Sequence, residues 1–201
     1  MSETEPPTTL AREESAVGEV VLRRRGEHIE LIVNGVFVMD TVDVSTEVEL
    51  AELALARHPQ PAQVLVGGLG LGFTAERVLQ DRRVEQVLVA EVAEPLTTWA
   101  RDGLLPGNLA DERLELHVGD VAEVLRATQG EWDLILLDVD NGPGFLVREE
   151  NADLYALDGL RATVDALAPA GVLAIWSSQP APELLSALES LADGRALEVL
   201  R

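Results

Sequence analysis

From Val64 to Leu79 the chain reads Val-Leu-Val-Gly-Gly-Leu-Gly-Leu-Gly-Phe-Thr-Ala-Glu-Arg-Val-Leu, and few architectures accept such a run. Three apolar residues running into glycines suit a strand covered on both faces, and Phe73, Val78 and Leu79 resume at helical spacing. Gly68, Gly70 and Gly72 fall at alternate positions between them. Without Cβ atoms they let the backbone approach a ligand closely, and the helix start behind them offers free N–H donors. Purely steric glycine turns have the same look, so the following strand matters. About 20 residues beyond a nucleotide-binding turn, an acid at the next strand tip should hold ribose hydroxyls. Here Val87-Leu88-Val89-Ala90 ends in Glu91.

Around this unit the chain alternates. Arg113–Val118 followed by Gly119-Asp120, the helix Val121–Ala127, and Trp132–Leu137 ending at Asp138 repeat the order strand, acid, helix. Leu154–Leu167 reads as a helix, Pro169-Ala170-Gly171 as a turn, Val172–Trp176 as a fifth strand and Pro180–Leu191 as a further helix. Such alternation predicts an α/β domain, a Rossmann-like, mostly parallel sheet covered by helices with ligands at the strands' carboxyl ends. Upstream, Val20–Arg23 and His28–Val33 read as strands, and Asn34-Gly35 before Val36–Met39 is a hairpin signal of the type I′ kind. A helix is expected from Ser45 or Thr46 to Arg57, with Glu49 completing a capping box. The expected organisation is a disordered tail over 1–15, a small β-sheet over 16–44 and a nucleoside-binding domain over 45–201. Ala196–Leu200 reads as the start of one more strand, which leaves the C-terminus apparently shortened.

The tail is polar and acidic with Pro6-Pro7, lacking the basic start and apolar stretch of a signal peptide. No apolar run approaches the ~20 residues needed to cross a bilayer, and a cytoplasmic location fits best. The absence of cysteine excludes disulfides, thiolate metal sites and a cysteine nucleophile. His28, His58 and His117 show no metal-ligand spacing, so no metal is expected. With a formal charge of −21 and no lysine, nucleic acid is not an expected partner; a cationic small molecule would be attracted, but acidity serves solubility equally well, and solubility is the favoured reading. Trp99, Trp132 and Trp176 lie on apolar faces of expected elements and read as core. Open edges on both sheets are compatible with a homodimer.

Phe73 stands where a dinucleotide fingerprint would carry its third glycine, which argues for a ligand lying flat over the turn, as S-adenosylmethionine does in the common methyltransferase fold. From about Asn34 to Gln179 the chain resembles the spermidine synthase-like aminopropyltransferases, a branch of that fold. The resemblance is carried by Asn34-Gly35 and the next strand, Asp43, Glu49, Gly68 to Gly72, Glu91, Gly119-Asp120, the Trp132–Asp138 stretch and the Leu154–Trp176 segment. It implies that Glu91 binds ribose hydroxyls, that Asp120 bonds the adenine amino group and that Asp138 accepts a proton from an amine. It also implies departures. Leu71 stands at the aspartate that binds the donor's amine, Glu47 at the active-site tyrosine, Val48 beside it at a glutamine or histidine, and Asn141 at a second aspartate.

Asp140, Asn141 and Glu47 are carried forward as substrate-binding candidates, and the loop Asp138–Phe145, with Gly142 and Gly144 as hinges and Phe145 as cover, has the makings of a lid. Because leucine cannot pair with an ammonium group, the first expectation is methyl transfer from S-adenosylmethionine to a small nucleophile, possessing an amine or not. The alternative is aminopropyl transfer from decarboxylated S-adenosylmethionine. A second alternative is a non-catalytic nucleoside-binding or interaction protein.

Overall fold

The computed structural model describes residues 6–139, 142, 146, 151–192, 194 and 196–199. Two sheets organise them. The strands β1 (Thr8–Ser15), β2 (Gly18–Arg25), β3 (His28–Val33) and β4 (Val36–Asp40) form an antiparallel meander in the order β1-β2-β3-β4. The β3–β4 turn takes the two positive φ values a type I′ turn needs, 51° at Asn34 and 75° at Gly35. The Asn34 amide Nδ2 then donates to the Val17 carbonyl, and its Oδ1 accepts from the Glu19 N–H.

The expected tail over 1–15 is therefore corrected, because Thr8–Ser15 is a strand. Its register against β2 runs from Thr8↔Arg24 to Ser15↔Gly18. Composition concealed this, since pairing is non-local and only Leu10 and Ala11 of the strand pack on the core. Trp99 fixes it further by donating its indole N–H to Glu13 at 3.0 Å.

The second sheet is parallel, in the order β7-β6-β5-β8-β9, from β5 (Gln63–Gly67), β6 (Gln86–Glu91), β7 (Leu114–Val118), β8 (Trp132–Leu137) and β9 (Leu167–Ile175). Alternate residues of its central strands feed opposite cores. Val64, Val66, Leu134 and Leu136 join the side that holds the N-terminal sheet and the helices α1 (Ser45–Arg57), α2 (Phe73–Leu79) and α3 (Glu94–Arg101). Leu65, Ile135 and Leu137 join the side covered by α4 (Val121–Ala127), α5 (Ala152–Tyr155), α6 (Leu157–Ala166) and α7 (Pro182–Leu191). The chain winds outward in both directions from β5 and β8, so a crevice opens at their carboxyl ends.

Four local expectations change. The capping box at α1 does not form: Val44 is the N-cap with no side-chain bond, and Asp43 instead accepts from the Ser45 N–H at 3.0 Å. The single helix expected over Leu154–Leu167 is two, divided at Ala156, whose ψ of 161° is extended. Residues 196–199 form no strand; Leu197 and Val199 are exposed, and Glu198 pairs with Arg57 of α1 at 2.7 Å. The Pro169–Gly171 turn is absorbed into β9 as an irregularity, with Ala170 at φ 65° and the β8 register slipping between Trp132 and Leu134. No helix among the described residues is long and apolar enough to cross a membrane.

Candidate active site

The crevice is built from the ends of five elements. The glycine turn after β5 supplies Gly68, Leu69, Gly70 and Gly72; the tip of β6 supplies Glu91; the start of α4 supplies Asp120; and the end of β8 supplies Asp138. Glu47 comes from the first turn of α1, and the N-terminal sheet leans over the opening with Leu31, Val33, Val38 and Met39. Gly68, Gly70, Gly72, Glu91, Asp120, Asp138 and Glu47, each singled out from sequence, thus line one cleft. Asp140, Asn141, Gly144 and Phe145 lie outside the described residues.

Two glycines are dictated by close approach. Gly68 has φ 90°, and a Cβ on it would stand 2.3 Å from the Asp138 carbonyl oxygen. Gly70 has φ 52°, and its Cβ would stand 2.8 Å from the Met39 sulfur. The turn is therefore compressed between β8 and the N-terminal sheet, and larger residues would push these walls apart.

Its amides are mostly occupied. Gly68 N–H donates to the Ala90 carbonyl and Gly72 N–H to the Leu69 carbonyl, both at 2.9 Å. Leu69 N–H donates to Glu91 Oε2 at 2.8 Å, and Leu71 N–H to the Met39 thioether at 3.3 Å. Leu71 itself is fully buried in the core, and its side chain does not line the cleft. The Leu71 side chain therefore does not face a ligand in the cleft.

The carboxylates differ in setting. Glu91 is buried, and its second oxygen accepts from Ala93 N–H at 2.8 Å, so the side chain ties the β6 tip to both the glycine turn and the entry to α3. Asp120 caps α4 through a bond from Ala122 N–H at 2.8 Å. Such bonds fix the orientation of each carboxylate. Asp138 accepts from the Thr74 hydroxyl at 2.7 Å. One edge of Asp138 reaches the cleft, but protein surrounds its carboxyl, and this desolvation pushes its pKa from 3.8 up to about 6. The Thr74 bond opposes the rise and the Glu47 charge adds to it.

Residue-by-residue reading of the sequence missed Thr74, Met39, Trp176 and Asn151, all of which line the same cleft. Trp176 packs against the core as expected and also forms part of the cleft wall, because it stands one residue past β9 on the carboxyl edge that carries the acids. That position was the available signal. Among the described residues the lining contains no arginine, lysine or histidine. Such a cleft suits a ligand with an apolar, flat part and a positively charged tail.

A family model described as spermine/spermidine synthase domain matches residues 44–197. The polyamine aminopropyltransferase of Nitrosomonas europaea is 33% identical over 150 residues, 72% of this chain and 45% of that protein. Putrescine N-methyltransferase 3 of Nicotiana tabacum is 30% identical over 129 residues, 62% of this chain and 32% of that protein. The chain spans about half the length of the curated aminopropyltransferases it matches, from 41% to 51% among them. The crystal structure of spermidine synthase from Thermotoga maritima shares the fold, with a TM-score of 0.72 over 84% of this chain and 56% of that chain at 24% identity.

Proposed function

The chain belongs to the spermine/spermidine synthase domain family, and from that membership we propose that it is a transferase moving the aminopropyl group of decarboxylated S-adenosylmethionine onto a small primary amine. The observation that carries this reading is the charge of the cleft: Glu47, Glu91, Asp120 and Asp138 line it without a basic side chain among the described residues. A donor that keeps its carboxylate would bring a fifth negative group there. Among the described residues it would find no cation, and the amides of Gly68, Leu69, Leu71 and Gly72 are already bonded. A donor without the carboxylate presents only its ammonium and sulfonium charges. The sequence-based preference for methyl transfer rests on Leu71 facing the donor, and with Leu71 in the core aminopropyl transfer takes first place.

In this reading the adenosine lies across the glycine turn with its ribose on Glu91 and its adenine amino group on Asp120. Leu69, Val38 and Met39 would cover its apolar faces. The acceptor amine attacks the carbon next to the sulfonium, the carbon–sulfur bond breaks, and methylthioadenosine leaves with the bonding electrons. The nitrogen loses a proton to Asp138, which is mostly ionised at neutral pH with its pKa of about 6. Alignment of the nitrogen, carbon and sulfur supplies the greater part of the acceleration.

Incubation with either donor form and putrescine, followed by chromatography of the nucleoside products, tests the reading. Methylthioadenosine should appear with the decarboxylated donor and disappear in Asp138→Asn. S-adenosylhomocysteine from the carboxylated donor would restore methyl transfer. Tight nucleoside binding with neither product would favour a non-catalytic binding protein.

A further inference from the structure

We propose that Thr74 is the positioning residue for Asp138: its hydroxyl ties down Oδ2, so that Oδ1 is the oxygen presented to the cleft for the acceptor's proton. This rests on the reading of Asp138 as proton acceptor, but its geometry stands independently. Thr74 is 3% exposed and lies in the first turn of α2, whose start is fixed by the glycine turn. Its neighbours Ala75, Val78 and Leu79 are apolar and buried, a setting in which valine would fill the same volume without a hydroxyl. A buried hydroxyl is costly unless bonded, and this one has a single proton, given to Asp138 Oδ2 at 2.7 Å. β-Branching restricts χ1, so the hydroxyl is held in place with little loss of rotamer freedom. The Asp138 backbone is equally constrained. Its N–H donates to the Gly67 carbonyl at 3.0 Å, and its own carbonyl lies against Gly68.

A carboxylate held at one oxygen loses its freedom to rotate, and the oxygen without that bond is the one left more available to a substrate. The same bond offsets part of the desolvation that raises its pKa, keeping the group ionised at working pH. Around Asp138, Glu47 from α1 acts on it by charge, Glu91 and Asp120 line the same cleft, and Trp176 after β9 is neutral. Among the described residues Thr74 alone donates a hydrogen bond to the Asp138 side chain.

The test titrates aspartate carboxyl carbons by 13C NMR in the ligand-free protein, with Asp138→Asn assigning the resonance. In Thr74→Val the Asp138 midpoint should move up by about one pH unit, as expected for loss of a bond to the charged form. Thr74→Ser should restore it, and Thr74→Ala serves if the valine variant does not fold. The displacement should persist in a Glu47→Gln background. In parallel, the acid limb of methylthioadenosine release against pH should move by the same amount, with kcat lowered more than KM. An unmoved midpoint in both Thr74→Val and Thr74→Ala overturns the proposal whatever the activity. A displaced midpoint without transfer by the wild type leaves Thr74's role standing and removes the aminopropyl reading instead.

Discussion

Asp138 and Asp111 are the same residue type with opposite fates, and the contrast separates a desolvated cleft carboxyl from one held in an ion pair. Asp111 is held down to about 2 by a forked pair of bonds from Arg113, whose guanidinium also donates to the carbonyls of Leu79, Asp81 and Val84. Among the described residues Asp138 has no such cation, and burial pushes it up to about 6. Between 3.8 and about 6 the folded chain holds a proton there that the unfolded chain has lost, so stability declines as pH rises through that window and stays reduced above it. Replacing Asp138 by asparagine, which still accepts the Thr74 bond, should therefore stabilise the protein at pH 8 by up to ~3 kcal/mol, at about 1.36 kcal/mol for each pH unit and less where the cleft edge is hydrated. At pH 4 the gain should vanish. Thermal melts of the two proteins at pH 4, 6 and 8 check this, and equal differences at all three would show that Asp138 titrates normally.

At the scale of elements, the cleft depends on β4 reaching over the glycine turn. Met39 holds that contact, its sulfur accepting from Leu71 N–H and standing against Gly70. A thioether is a weak acceptor beside a carboxylate, so its effect is to occupy the amide and fill the space. Met39→Ala should let the carboxylated donor compete: the ratio of dissociation constants for the two donor forms, measured by calorimetry, should fall by roughly tenfold, about 1.4 kcal/mol. An unchanged ratio would mean that repulsion by the acids alone sets the preference. This element also marks where sequence stopped being informative. The parallel sheet and the cleft positions of Glu91, Asp120 and Asp138 were legible because each acid closes a strand within its own strand–helix unit, a purely local pattern. Met39, Thr74 and Trp176 were not, since strands distant in sequence bring them together. Strand β1 and the divided helix at Ala156 were hidden for the same reason: pairing with β2, and the bond from Tyr155 to the Val139 carbonyl, are tertiary facts.

For the molecule as a whole, 36 acids against 15 arginines leave the formal charge of −21, and many of the arginines are already committed. Arg23 and Arg25 pair with Glu30, Arg57 with Glu198, Arg77 with Glu52, Arg83 with Asp81 and Arg113 with Asp111. The net negative charge adds to that of an acid-lined cleft, so a dication should be drawn in faster than diffusion alone would bring it. Added salt removes that attraction over a screening distance of about 10 Å at 0.1 M. The association rate of a diamine, followed by stopped flow, should fall at least about fivefold between 0.05 and 0.5 M salt while its dissociation rate changes little. Methylthioadenosine, which is neutral and shares only the nucleoside part of the site, should associate at the same rate throughout. A diamine rate as indifferent to salt as the nucleoside's would reduce the acidity of this protein to a matter of solubility and deprive the amine acceptor of its electrostatic support.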